Sequence, residues 1–212
     1  MKVGVIGATG KAGQLIVKEA KDRGHEVTAF VRNASKVTDK EIAILEKNAF
    51  ELTGSDIQSF DVVVNAFGTG LDDAHKHVEL GRSLIAAFKD APNTRLIVVG
   101  GAGSLFVDEA KTVQLKDTAE FPKEILPIPI NQGKNLEDLQ NSAGVKWTFV
   151  SPAAFFDAEG KKTGSYQIGK DHVIENSQGE SYISYADYAI AIVDEIEKAN
   201  HINERFTVVG EK

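Results

Sequence analysis

Residues 2–13 read KVGVIGATGKAG and decide the predicted fold. Residues 3–6 predict a short buried strand that ends at Gly7. Lys11–Arg23 consists of good helix formers whose apolar side chains fall on one face, so we expect a helix there. A strand that passes directly into a helix leaves the first N–H groups of that helix unpaired and facing the turn. That end of the helix carries about half a positive charge and suits a phosphate.

The three glycines of this turn have separate predicted roles. Gly7 permits the sharp turn, Gly10 lets the backbone approach a pyrophosphate, and Gly13 lets the helix lie close to the sheet. Their spacing is G-x-x-G-x-x-G, which differs from the general G-x-G-x-x-G fingerprint, so an ordinary tight turn is the alternative. A second predicted strand, Glu26–Val31, completes a βαβ unit and favours a dinucleotide site. The predicted cofactor contacts in this turn are Gly7, Thr9, Gly10, Lys11, Ala12 and Gly13.

Five segments carry a resemblance to a known family. They are GATGKAG (7–13), VVGGAGS (98–104), WTFVSPA (147–153), YISYADY (182–188) and RFTV (205–208). The chain resembles the atypical short-chain dehydrogenase/reductases, in particular a small NAD(P)H-binding group similar to NADH-flavin reductases, to flavin/biliverdin reductases and to NmrA-like proteins. The resemblance covers nearly the full length. It implies a Rossmann-type, doubly wound α/β fold, with a mainly parallel sheet and helices on both faces.

Composition limits the possible functions. The chain has 212 residues, of which 42% are hydrophobic, so we expect one domain over residues 1–212. Its net charge of −7 argues against nucleic acid as a partner, and the lack of cysteine excludes disulfides and thiolate metal sites. No apolar run approaches membrane-spanning length, and Met1 and Lys2 lead directly into the first strand without a signal peptide. We therefore expect a cytoplasmic monomer or homodimer without a membrane or nucleic-acid partner.

The remaining pattern predicts alternating strands and helices. Strands are expected at residues 41–45, 61–68, 95–99, 145–150 and 205–209, and helices at 72–89, 134–140 and 182–198. The segment 110–133 contains three prolines and is interpreted as a substrate-side loop or lid, and 164–180 as a small hairpin. We expect a small substrate-side region built from about 105–133 and 153–184.

Arg32 follows the second strand and suggests which dinucleotide binds. It lies 19 residues past Gly13, where dinucleotide folds contact the adenosine ribose. A guanidinium there suits a 2′-phosphate and favours NADP(H) over NAD(H), with Lys36 as a possible assistant; a solvated surface arginine is the alternative. Related proteins place an aspartate near Asn48 to meet the adenine, and the amide can still form hydrogen bonds. Asp56 is the alternative if the third strand lies later.

Small residues at the ends of later strands predict further cofactor contacts. In doubly wound sheets ligands lie beyond the carboxyl ends of the strands. The predicted contacts are Ala66, Phe67, Gly68, Gly100 and Pro152. The glycines after the fifth strand indicate a backbone close to something bulky and flat, or a mobile loop. His75 and His77 are two residues apart and share no helix face, so we expect solvated residues and no metal site.

The expected catalytic tyrosine is missing. Classical members use a tyrosine four residues before a lysine, together with a serine. Between the fifth and sixth strands Lys134 is present, but Ile130 precedes it by four residues and no tyrosine occurs there. The spacing does occur at Tyr166–Lys170, which follows the sixth strand and contains a glycine, so we interpret it as coincidental. Ser104 and Lys134 remain the possible catalytic residues.

This absence favours a conjugated acceptor. A flavin or quinone ring delocalises the added charge and takes its proton from water, so the protein mainly holds two flat rings in contact. Phe67, Phe106 and Phe155 are the aromatic candidates for such a site, or they belong to the core. We expect an NADPH-dependent reductase with flavin or a similar small molecule as substrate. The alternative is a non-catalytic NADP(H)-binding redox sensor of NmrA-like type; an epimerase or dehydratase would need the tyrosine and a larger substrate domain.

Overall fold

The computed structural model describes all 212 residues, Met1–Lys212. The strands are β1 (Lys2–Ile6), β2 (Glu26–Val31), β3 (Ala43–Glu46), β4 (Val62–Asn65), β5 (Arg95–Val99), β6 (Lys146–Ser151), β7 (Phe155–Asp157), β8 (Tyr166–Gly169), β9 (Tyr182–Ser184) and β10 (Glu204–Gly210). The helices are α1 (Lys11–Asp22), α2 (Gly54–Ile57), α3 (Lys76–Lys89), α4 (Pro127–Gln140) and α5 (Tyr185–Lys198). No helix is both long enough and apolar enough to span a membrane.

Eight strands form one sheet in the order β3-β2-β1-β4-β5-β6-β10-β8. All neighbours are parallel except β10 and β8. The chain moves outward from β1 to β3 on one side and from β4 onward on the other, so the strand order reverses between β1 and β4. This is the switch point at which doubly wound sheets bind ligands. The predicted Rossmann-type α/β fold is confirmed.

Helices cover both faces of the sheet. α1 packs against α5 on one face, and α3 packs against α4 on the other. Each pair covers its own cluster of buried apolar side chains. Residues 62–64, all valine, are fully buried, as expected for a central parallel strand that is covered on both faces.

Three predicted elements differ from the structure. Residues 127–133 are not part of a loop, because α4 begins at Pro127, where a missing N–H group costs the helix nothing. Residues 164–180 do not form a hairpin. Instead, β8 is the edge strand of the sheet and pairs with β10. The last helix begins at Tyr185, because residues 182–184 form a strand paired with β7.

Candidate functional site

A large cleft opens at the carboxyl ends of the central strands. Its volume is about 1460 Å³, larger than the roughly 300–1,000 Å³ of a pocket for one drug-sized molecule. Segments after β1, β2, β4, β5 and β6 line it, together with residues 115–132 and the start of α5. The cleft therefore has room for a dinucleotide and a second small molecule.

The glycine-rich turn forms one wall of the cleft. Gly7 has φ of +73°, and a Cβ there would lie 2.6 Å from the Ala66 carbonyl oxygen, so only glycine fits. Gly13 lies against the Gly7 carbonyl group, which brings α1 close to the turn. Gly10 caps α1 without a side-chain hydrogen bond, and the first turn of α1 contains no acidic residue. The first N–H groups of α1 thus have no side-chain partner, and the turn fits a diphosphate.

Lys11 extends from this turn to the segment that follows β7. Its Nζ lies 3.0 Å from Glu159 Oε1, and the two side chains are 70% and 83% exposed. An ion pair so open to water contributes little stability. Lys11, Thr9, Gly10 and Ala12 all line the cleft, so the lysine can exchange its carboxylate for an anionic ligand at small cost.

The cleft also contains the predicted Arg32 and Asn48, which follow β2 and β3. Arg32 is exposed and forms no ion pair, whereas the other four arginines, Arg23, Arg82, Arg95 and Arg205, all do. The Asn48 side-chain oxygen accepts a hydrogen bond from the Phe50 N–H group, which leaves its NH₂ group free. Two residues considered from the sequence lie elsewhere: Asp56 binds Lys47 Nζ at 2.7 Å, and Lys36 borders a separate hollow beside α1.

The predicted strand-end residues also line the cleft. Ala66, Phe67 and Gly68 follow β4, Gly100 follows β5, and Pro152 follows β6. The ring of Phe67 makes edge contacts with Phe50 at 5.8 Å and with His77 at 5.5 Å between centroids. These contacts fix an aromatic wall beside the backbone that follows β4.

His77 lies in the cleft, and its interpretation as a solvated helix residue is wrong. The ring is half-buried against Phe67, and burial lowers its pKa, so it is neutral at physiological pH. His75 is exposed, 3.8 Å from Glu79. No group of three or more histidine, aspartate or glutamate side chains is arranged to hold a metal ion.

Of the three predicted ring-contacting phenylalanines, only Phe67 lines the cleft. Phe106 packs on His172, with 6.2 Å between centroids, and Phe155 is 58% exposed beside Tyr182. Among the cleft-lining residues that the sequence reasoning missed are Phe50, Phe121, Gln132, Phe156 and Tyr185. The adjacent Phe155 and Phe156 gave a partial signal, because neighbouring side chains of a strand point to opposite sides.

Neither possible catalytic residue lies in the cleft. Ser104 is buried, and its Oγ accepts a hydrogen bond from Arg205 Nη1 at 3.2 Å. The chain turns away from the cleft at this point, so Gly101, Ala102 and Gly103 line it instead. Lys134 is an exposed residue of α4 outside the cleft lining. The expected catalytic roles of Ser104 and Lys134 therefore have no geometric basis.

The four tyrosines have defined places. Tyr166 donates to Asp194 at 2.8 Å outside the cleft, and burial raises its pKa. Tyr182 donates to Asp157, and buried Tyr188 donates to the Val150 carbonyl group. Only Tyr185 lines the cleft; its ring packs 3.9 Å from that of Phe156 between centroids. Burial raises its pKa and nearby Lys11 opposes this, so it stays protonated; four residues later the chain has Ala189.

Comparison with known proteins identifies the family. The sequence profile of the NAD(P)H-binding family matches residues 7–199, from the glycine-rich turn to the end of α5. The chain belongs to the NAD(P)H-binding family. The resemblance that the sequence motifs indicated is confirmed, and the cofactor of this NAD(P)H-binding protein is a nicotinamide dinucleotide.

Individual relatives of this NAD(P)H-binding protein agree with the assignment. An uncharacterised protein of Bacillus subtilis (strain 168), YwnB, is 67% identical over 211 residues, covering 100% of this chain and 99% of that protein. The crystal structure of SP1627 from Streptococcus pneumoniae TIGR4, provisionally named an NADH-flavin reductase, is 44% identical and superposes with a TM-score of 0.94 over 100% of both chains. A divinyl chlorophyllide a 8-vinyl-reductase of Arabidopsis thaliana is 27% identical; 97% of this chain covers 52% of that protein.

Proposed function

We propose that the protein is an NADPH-dependent reductase of flavins, quinones or similar conjugated acceptors, acting without a Tyr-Lys catalytic pair. One observation carries the proposal: a cleft of about 1460 Å³ joins a phosphate-binding turn to an apolar end, and its one tyrosine has no lysine four residues on. When bound, NADPH supplies a hydride to the acceptor ring, leaving NADP⁺, and a proton from water completes the reduction.

The chain's own residues would hold the dinucleotide from one end to the other. The first N–H groups of α1 would bind the diphosphate, and Lys11 would add a positive charge beside it. The NH₂ group of Asn48, which has no protein partner, would donate to the adenine. Gly100 and Pro152 leave space for the nicotinamide at the ends of β5 and β6.

Arg32 supports NADPH over NADH. It is an exposed, unpaired guanidinium at the tip of β2, where a dinucleotide fold presents the adenosine ribose. Guanidinium–phosphate hydrogen bonds are among the stronger polar contacts in proteins. A 2′-phosphate would give this arginine the anionic partner that the fold itself does not provide.

Positioning would supply most of the catalytic effect. A ketone needs a proton donor as the hydride arrives, whereas a conjugated ring spreads the charge over several atoms. Tyr185 packs on Phe156 beside Lys11 and the diphosphate turn, in a place that suits cofactor contact. Holding two flat rings at reactive distance converts a bimolecular encounter into an oriented one.

The relatives support the class of reaction. SP1627 bears the provisional name of an NADH-flavin reductase, and the plant protein is a vinyl reductase. We also propose a single domain over residues 1–212, whose substrate-side region, about 105–133 and 153–184, contributes Ala153, Ala154, Phe156 and parts of residues 115–132 to the cleft.

Oxidation of NADPH by the purified protein with riboflavin, FMN and a simple quinone tests the proposal. We expect loss of the reduced-nicotinamide absorbance that depends on both protein and acceptor. The lack of a Tyr-Lys pair equally suits a redox sensor that holds NADP(H) without turnover. Dinucleotide binding in calorimetry, with no oxidation by any acceptor, would favour the sensor.

A further inference from the structure

We propose that the acceptor end of the cleft selects an uncharged planar ring with a carbonyl edge, recognised by the Gln132 amide, and disfavours acceptors that carry phosphate. This inference rests on the proposed function, because it names the class of acceptor for the same cleft. Among flavins it predicts riboflavin over FMN. Among quinones it predicts neutral ones over sulfonated or carboxylated ones.

The acceptor end is formed by one wall of the cleft, residues 115–132, which faces the end of β5. Its apolar surface consists of Leu115, Phe121, Pro122, Ile125, Ile128 and Pro129. Flat apolar side chains of this kind bury a conjugated ring by contact area. The wall therefore favours an aromatic or quinonoid molecule over a flexible polar one.

Gln132 is the polar group that this wall presents without a protein partner. Its side chain lines the cleft and forms no hydrogen bond with the protein, whereas the hydroxyl group of Thr118 donates to the Leu115 carbonyl group at 2.9 Å. A Cβ on Gly101 would overlap Gln132 Oε1, so the amide lies directly against the backbone after β5. An amide both donates and accepts, which matches the alternating C=O and N–H groups of an imide edge or the carbonyl group of a quinone.

The lysines in and beside the acceptor wall are not part of the cleft lining. Lys116 pairs with Asp117 at 2.8 Å, and neither it, Lys123 nor Lys134 lines the cleft. Glu120 is the charged residue of this wall that does line it. Across the cleft, Lys76 is paired with Asp73 at 2.8 Å.

The cleft-lining cation without an ion-pair partner, Arg32, lies at the opposite end of the cleft from the acceptor wall. Arg32 has no protein carboxylate, and Lys11 has only an exposed one. The cleft is thus cationic where a dinucleotide places its phosphates and acidic at the acceptor wall. Such a gradient draws the cofactor's phosphates to one end and repels a second phosphate from the other.

Binding of oxidised flavins to the protein saturated with NADP⁺ tests the inference without turnover. Quenching of flavin fluorescence measures affinity, and riboflavin and FMN share the same ring. We expect riboflavin to bind about threefold or more tightly than FMN at low salt, with a smaller difference at high salt, because screening weakens repulsion between exposed charges.

Two pairs of variants test whether Gln132 and Glu120 determine the preference for riboflavin. Gln132→Leu should weaken riboflavin binding about three- to tenfold, the value of one or two lost hydrogen bonds, whereas Gln140→Leu on the same helix but outside the cleft should not. Glu120→Lys should strengthen FMN binding several-fold with little effect on riboflavin, and Glu124→Lys, outside the cleft lining, should change neither.

The binding and turnover results together distinguish the inference from the proposed reductase activity. Binding of FMN as tight as that of riboflavin, no binding of either, or an unchanged affinity in Gln132→Leu would overturn the inference. Selective riboflavin binding without oxidation of NADPH would support the inference and overturn the proposed reductase activity. Turnover that prefers FMN would support the activity and overturn the inference.

Discussion

Lys11 Nζ lies 3.0 Å from Glu159 Oε1 and so connects the glycine-rich turn to the segment after β7. Glu159 therefore holds the cation that we expect to contact the dinucleotide. Glu159→Gln removes this competitor and one negative charge near the phosphates, so dinucleotide affinity should rise about twofold at low salt. Calorimetry measures this, with Glu137→Gln on the exposed face of α4 as the control. A loss of affinity would show that Glu159 positions Lys11 for the cofactor.

Arg32→Ala tests the preference for NADPH. The guanidinium has no protein partner, so its removal should leave the fold intact. We expect NADPH to bind about tenfold or more weakly, because a charge-assisted hydrogen bond contributes about 1.5–3 kcal/mol, and NADH binding to change little. Arg82→Ala, which removes an exposed arginine paired with Asp138, is the matched control. Equal losses for NADPH and NADH would exclude a 2′-phosphate contact.

Gly100→Ala tests how close the floor of the cleft lies to the core. The new Cβ would overlap the ring of Phe149, a fully buried residue of β6. Overpacking of this kind costs about 1–3 kcal/mol of unfolding free energy, to be measured by denaturant titration. Gly68→Ala is the control, because no atom lies within 4 Å of the added Cβ. Equal stability of the two variants would contradict the described packing.

The ion pair between Asp171 and Arg205 predicts a pH-dependent stability. Burial raises the pKa of Asp171, but Lys111 and Arg205 more than offset this, so the pKa lies below its ordinary value. A depressed pKa stabilises the fold at pH values above the ordinary one, and this stability is lost as pH falls through the folded-state pKa.

Asp171→Asn should therefore be less stable than the wild type at neutral pH, and the difference should shrink below about pH 4. Unfolding free energies measured from pH 7 down to the acid transition check this. Asp72→Asn, at an exposed position, should show no such convergence. A stability difference that stays constant with pH would show that the charge of Asp171 is not involved.

The sequence predicted the parts of the site that depend on local pattern. The turn over residues 7–13 follows from glycine spacing between a strand and a helix, and Arg32 and Asn48 follow from the positions of strand ends. Hydrophobic periodicity in the sequence locates those strand ends to within a few residues. All of these residues line the cleft except two members of the turn, the buried Ala8 and Gly13, which packs beneath the turn.

The remainder of the site depends on contacts between distant parts of the chain. Gln132 lies on α4 and reaches the cleft only because α4 crosses the end of β5, beside Gly101. Tyr185 enters because β9 pairs with β7, which no local pattern shows. Phe106 and Phe155 were equally good candidates by composition, but the tertiary fold turns both away.

The central claim is that the cleft promotes reduction by holding two rings together, without a side-chain proton donor. Tyr185 is the tyrosine that lines the cleft, so the NADPH oxidation rate of Tyr185→Phe with riboflavin as acceptor is the most direct test. We predict a rate within about threefold of the wild type, because general acid catalysis contributes about 10²–10⁴-fold where it operates. A hundredfold loss in a folded variant that still binds NADPH would contradict the account and make Tyr185 the proton donor.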